Sequence, residues 1–82
     1  MQMEMTPERQ KMLQKKAVFV QGLGIVLNQL SDMEVKKLAY KYDEMTNRET
    51  VEVHYTSGVI RTVDVTSDSH LAIMIDLTKV LN

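Results

Sequence analysis

Apolar and polar positions alternate with a period of two over Glu49–Val65. Val51, Val53 and Tyr55 alternate with Glu52 and His54, and beyond Thr56-Ser57-Gly58 the valines 59, 63 and 65 and Arg61 alternate with Ile60, Thr62 and Asp64. That rhythm marks half-buried strands, so the stretch reads as a β-hairpin. A two-residue Ser57-Gly58 turn would put the valines of the second strand on the polar face of the first. A three-residue loop, with Gly58 at positive φ, sets Tyr55 opposite Val59, Val53 opposite Arg61 and Val51 opposite Val63. A one-residue slip sends a whole side-chain set to the wrong face, so the apolar pattern selects the three-residue loop.

Leu38, Tyr40 and Tyr42 alternate in the same way with Lys37, Ala39, Lys41 and Asp43 and predict a strand before the hairpin. A four-residue loop Met45–Arg48, with Asn47 in the left-handed region, would set Tyr42 opposite Val51, Tyr40 opposite Val53 and Leu38 opposite Tyr55. The competing pattern is Ser31-Asp32-Met33-Glu34, a capping box that would start a short helix through about Tyr40. The strand is the reading adopted; the alternative order is α-α-β-β-α with a hairpin only.

Two segments follow the helical period instead. Thr6-Pro7-Glu8 is a helix start: Thr6 can cap, Pro7 lacks an N–H where none is needed, and Glu8 suits the positive end of the helix dipole. The helix should run to about Leu30, a length of about 36 Å. Its first half is polar; its second half is apolar nearly all round, with Met12, Phe19 and Val26 in one row and Leu13, Val20 and Leu27 in the next. Such a helix needs cover on more than one side. Gly22 and Gly24 leave a bare patch for a close backbone approach, since each glycine costs about 1 kcal/mol relative to alanine inside a helix. Thr66-Ser67-Asp68-Ser69 restarts a helix with Thr66 or Ser67 as cap, and Leu71, Met74, Ile75, Thr78 and Leu81 form its main stripe, widened by Ile73, Leu77 and Val80. The predicted architecture is α+β, order α-β-β-β-α: a three-stranded antiparallel meander with two helices on one face. Residues 1–5 are expected to be disordered and 6–82 to form a single domain.

Length changes this picture, because 82 residues bury only about 60–65% of the unfolded surface and leave a thin core. Small folds commonly add disulfides, a metal or a second subunit. With 0 cysteines, the first is excluded and thiolate metal sites with it. Surplus apolar surface on the first helix therefore predicts a homodimer, with Phe19, Gly22, Leu23, Val26 and Leu30 at the interface. The start Met1–Met5 has no basic run ahead of an apolar core, and no stretch approaches the ~20 apolar residues that span a bilayer. A soluble, cytoplasmic chain without membrane contact is expected.

Net charge is −1, unevenly spread: residues 1–42 carry +3 and residues 43–82 carry −4. Asp43, Glu44, Glu49, Glu52 and Asp64 gather at one end of the meander, and with His54 and Arg61 they make a candidate surface for a basic or nucleic-acid-binding protein. Arg61 is the one charge on the apolar face; its stem can pack while the guanidinium reaches an edge. Arg9, Lys11, Lys15 and Lys16, with Lys36, Lys37 and Lys41, are the alternative: a nucleic-acid-binding regulatory protein using the basic first helix. Against it, the outer sheet face carries no ring but His54.

No catalytic, cofactor or metal motif emerges. His54 and His70 fall on different elements without a ligand cluster. Gly22-Leu23-Gly24 lacks the preceding strand and the glycine spacing of a phosphate loop. Asp43 and Asp64 would lie about 9.5 Å apart, a spacing that suits an inverting glycosidase pair, on an open face without a groove. The function expected is a non-enzymatic regulator or inhibitor acting by stoichiometric protein binding, without a cofactor. Phage or mobile-element accessory proteins of the anti-CRISPR type share that profile of size and style, though no motif here carries the analogy.

Overall fold

The computed structural model describes residues 6–30, 32 and 34–81. The expected disorder of residues 1–5 and the capping role of Ser31 lie outside the described residues. The element order is α1 (Pro7–Gln29), β1 (Val35–Asp43), β2 (Arg48–Tyr55), β3 (Ile60–Asp64) and α2 (His70–Leu81). The fold is α+β, with an antiparallel sheet in the order β1-β2-β3 and the helices packed on it. The α-β-β-β-α reading holds, and the segment after residue 34 is strand.

Thr6 caps α1 as expected: its hydroxyl accepts from the Arg9 backbone N–H at 3.1 Å. The hairpin β2–β3 has the register that the apolar pattern selects, with Val51 opposite Val63 and Val53 opposite Arg61. Gly58 closes it at φ 95°, a conformation that a Cβ disfavours.

The β1–β2 register needs correction. Tyr40 pairs with Val51, Leu38 with Val53 and Tyr42 with Glu49, closing on Asp43–Arg48. The turn is therefore Glu44–Asn47, one residue earlier than expected. Asn47 does take the left-handed region, at φ 56°, and its side-chain oxygen accepts from the Tyr42 hydroxyl at 2.7 Å and from Arg9 on α1. That cluster pins the turn to the start of the helix. The pairing moved by two residues, so every side chain kept its face. A bulge between Val35 and Lys37 lets β1 start earlier than the alternation suggested.

One core joins all five elements: Val20 from α1, Val35 and Leu38 from β1, Val51 and Val53 from β2, Val63 from β3 packed against it, Val65 just after β3, and Ile73 and Leu77 from α2. Gly24 is where α1 crosses the sheet. A Cβ there would stand 2.7 Å from the Leu38 backbone nitrogen, so only glycine permits the approach. Gly22, two residues earlier, faces open space.

The second helix also differs in detail. Its start is held by Ser69, whose hydroxyl accepts from the Ala72 N–H at 3.2 Å. Ser67 instead sits at φ 63° in the loop. The inward stripe is Ile73, Leu77 and Leu81; Leu71, Met74 and Ile75 stand in water. Both stripes have helical spacing, and only the path of the loop after β3 decides which of them meets the sheet.

Candidate protein-binding surfaces

The charged residues divide into those that hold the fold and those that face solvent. Glu49 is only 3% exposed and Lys16 only 5%, and Lys16 Nζ lies 2.8 Å from Glu49 Oε1. The Tyr40 hydroxyl donates to the same oxygen, and the Ser67 N–H donates to Oε2 at 2.8 Å. Thr66 Oγ1 accepts from the Glu49 N–H at 2.9 Å. One carboxylate thus ties α1, β1, β2 and the β3–α2 loop together. Burial by itself would raise its pKa, but hydrogen bonds from Lys16, Tyr40 and the Ser67 N–H outweigh it and hold the group below the ordinary carboxylate range. Burial, and then the bond to Glu49, push the Tyr40 phenol up.

This corrects two expectations. Glu49 is not part of a partner-binding surface, because it lies inside the protein. Lys16 is likewise unavailable to phosphates, and Arg9 is committed to Asn47, Tyr42 Oη at 3.3 Å and the face of the Tyr42 ring. The basic run on α1 is reduced to Lys11 and Lys15, which weakens the nucleic-acid reading.

The other acidic residues do gather at the outer sheet face and its turn, but Glu52 and Asp64 among them are paired with basic groups. Glu52 lies 3.4 Å from Lys41 Nζ and 3.1 Å from His54 Nε2; those two neighbours, His54 first, lower its pKa. Asp64 is bound by Arg48 at 2.7 Å and accepts from the Thr66 N–H at 2.9 Å. That backbone bond first, and then Arg48, bring it down to about 2. Asp43 accepts from the Met45 N–H at 2.9 Å, which shapes the turn. Glu44 is exposed beside it. A shallow hollow of about 900 Å³ here is lined by Lys41, Asp43, Glu44, Met45 and Arg48 among others, a mixed-charge surface and not an acidic one. Asp43 falls opposite Arg48 while Asp64 pairs with Thr50, so the two carboxylates share no row. Arg61 is exposed on β3 opposite Val53, on the other face of the sheet from these groups.

The apolar surface is the larger feature. On α1, Phe19 and Leu23 pack against the core, and the Phe19 ring stacks on His70 of α2 with centroids 4.6 Å apart. These two expected interface residues therefore face inward in part. Gly22, Val26 and Leu30 are exposed as expected, and Val18 and Ile25 join them. The helical phase carries that signal: Val18 and Ile25, seven apart, lie on the side of α1 opposite Leu13 and Val20, whose row faces the sheet. On α2, Leu71, Met74 and Ile75 form a second exposed set at helical spacing.

Among the described residues no group of three or more His, Asp or Glu side chains is placed to hold a metal ion, and no helix is long and apolar enough to cross a membrane. Comparison with known proteins gives no match to a family model, a curated protein or a solved structure.

Proposed function

We propose that this chain is a small non-enzymatic regulator or inhibitor that acts by stoichiometric protein binding. The carrying observation is the outer face of α2, where Leu71, Met74 and Ile75 stand in water while Ile73 and Leu77 of the same helix fill the core. Apolar anchors at i, i+3 and i+4 suit a helix laid into a hydrophobic groove on a partner. Methionine adds an adaptable contact. A phage-borne inhibitor, of the anti-CRISPR type or otherwise, is the finer form of this proposal and rests on size and style alone.

Affinity capture from the native host tests it, comparing the native chain with a Leu71→Lys/Ile75→Lys variant whose circular dichroism is unchanged. A protein recovered in near-equimolar amount by the native chain and lost with the variant supports the proposal. Equal recovery by both, or recovery of nucleic acid alone, contradicts it.

A further inference from the structure

The outer face of α1 is a different surface, and the structure says what fits it. Val18, Ile25, Val26 and Leu30 are 66%, 58%, 56% and 52% exposed. Together they form an apolar surface in water, of the kind that marks an interaction site when it is contiguous. Within the subunit α2 does not cover them. Its first turn stacks on Phe19, and its inward residues enter the sheet core.

Two features of this face give its complement. The first is shape. Gly22 lies among these residues with nothing within 4 Å of where a Cβ would stand, so a second backbone can approach there. One end of the face holds a shallow hollow of about 420 Å³, lined by Lys11, Gln14, Lys15 and Val18. Those positions are i, i+3, i+4 and i+7, the four residues that form a hole for a knob from a facing helix. The second is charge. Lys11 and Lys15 stand at the basic end of α1, and no described carboxylate forms an ion pair with either. The last turn of α1 carries no basic residue of its own, so the helix dipole ends negative there, with Lys36 and Lys37 of β1 lining the hollow beside Asn28 and Gln29.

We infer that the outer face of α1 binds a second copy of itself, the two helices crossing antiparallel at Gly22. Centring the crossing there sets Val18 of one copy opposite Val26 of the other and Gln14 opposite Leu30. Leu30, the extended cap that follows the helix, then lies at the level of the partner's Lys11–Val18 end. Lys15 lies opposite Gln29, so each lysine pair meets the partner helix's negative end. A parallel pairing would instead set the two lysine clusters side by side. The contact is isologous, so it closes at two copies. Partner capture by α2 uses another helix, so either proposal can fail without the other.

The chain has 0 cysteines, so single cysteines report the geometry directly under mild oxidation. An equimolar mixture of the Val18→Cys and Val26→Cys proteins should form a disulfide-linked heterodimer. The Lys15→Cys protein alone should form none, because an antiparallel crossing separates its two copies by about 21 Å along the helix, far beyond disulfide reach. Cross-linking of Lys15→Cys with itself would show a parallel pair, and a failure of the mixed pair to link would remove the interface; either overturns the inference.

Discussion

Lys16 and Glu49, 33 residues apart in sequence, meet as a buried ion pair at the junction of α1, the sheet and the loop into α2. The pair is what makes this small core specific in register. Glu49 can lie inside only if Lys16, Tyr40 and Ser67 all reach it, and they do so only with β1 paired as observed. Breaking such a pair by removing one partner costs far more than replacing both, because it strands a buried charge. Lys16→Met should lower unfolding stability by about 3 kcal/mol in urea titration, and Lys16→Met/Glu49→Leu should recover a large part of that. A loss under ~1 kcal/mol for the single variant would mean that Glu49 draws its stability from its hydrogen bonds alone.

The two glycines of α1 separate cleanly. Gly24→Ala drives a Cβ to 2.7 Å from the Leu38 nitrogen and should destabilise the fold by more than ~1 kcal/mol as overpacking forces α1 off the sheet. Gly22→Ala meets nothing within the subunit and, measured at a dilution that favours single subunits, should stabilise by up to about 1 kcal/mol through helix propensity. Thermal melts of both variants decide this; equal effects would contradict the assignment of Gly24 to the crossing.

The start of α2 rests on Ser69. Ser69→Ala should cost about 1 kcal/mol, the usual loss of a helix cap. Ser67→Gly should be neutral or stabilising, since the residue is at φ 63°, where glycine relieves strain. The opposite order in denaturant melts would restore Ser67 as the cap.

Acid and neutral pH should pull in opposite directions. Asp68 meets the carboxyl of Asp76 on α2, and its Oδ2 is buried without a donor. That contact first, and then burial, raise Asp68 from 3.8 to about 6, with Lys16 and Glu49 acting more weakly nearby. A raised carboxyl favours folding in its protonated form, so this contribution is present below its unfolded value and lost as pH climbs through about 6. Glu49, lowered from 4.5, contributes above that value and loses its contribution as pH falls through its folded pKa. The melting temperature should therefore peak in mildly acidic solution. Asp68→Asn should abolish the decline toward neutral pH and leave the acid limb intact; an unchanged profile would remove Asp68 as its cause.

How much of this was legible in the sequence varies by element. The Val51–Val63 register was, because alternation and Gly58 both pointed to it. The β1–β2 offset was not: a two-residue shift preserves every face, so the apolar pattern cannot see it, and the choice was made by Arg9 reaching Asn47 and Tyr42 from another element. Glu49 read as surface acid because a local pattern does not show a lysine 33 residues away. The inward stripe of α2 was equally hidden, since Ile73/Leu77 and Leu71/Ile75 have the same spacing and the loop decides. The phase of α1 was only partly marked: on a helix apolar nearly all round, Leu13/Val20 and Val18/Ile25 have the same seven-residue spacing, so Phe19 and Leu23, expected at an interface, pack against the core instead.

Self-association through this second face of α1, inferred above, sets the mass of the particle in solution. Sedimentation equilibrium at micromolar concentration measures it most directly. A paired α1 gives a mass near twice 9.4 kDa for the native chain, falling to one subunit in a Val18→Lys/Ile25→Lys variant with unchanged circular dichroism. A native chain that sediments as a single subunit would contradict it.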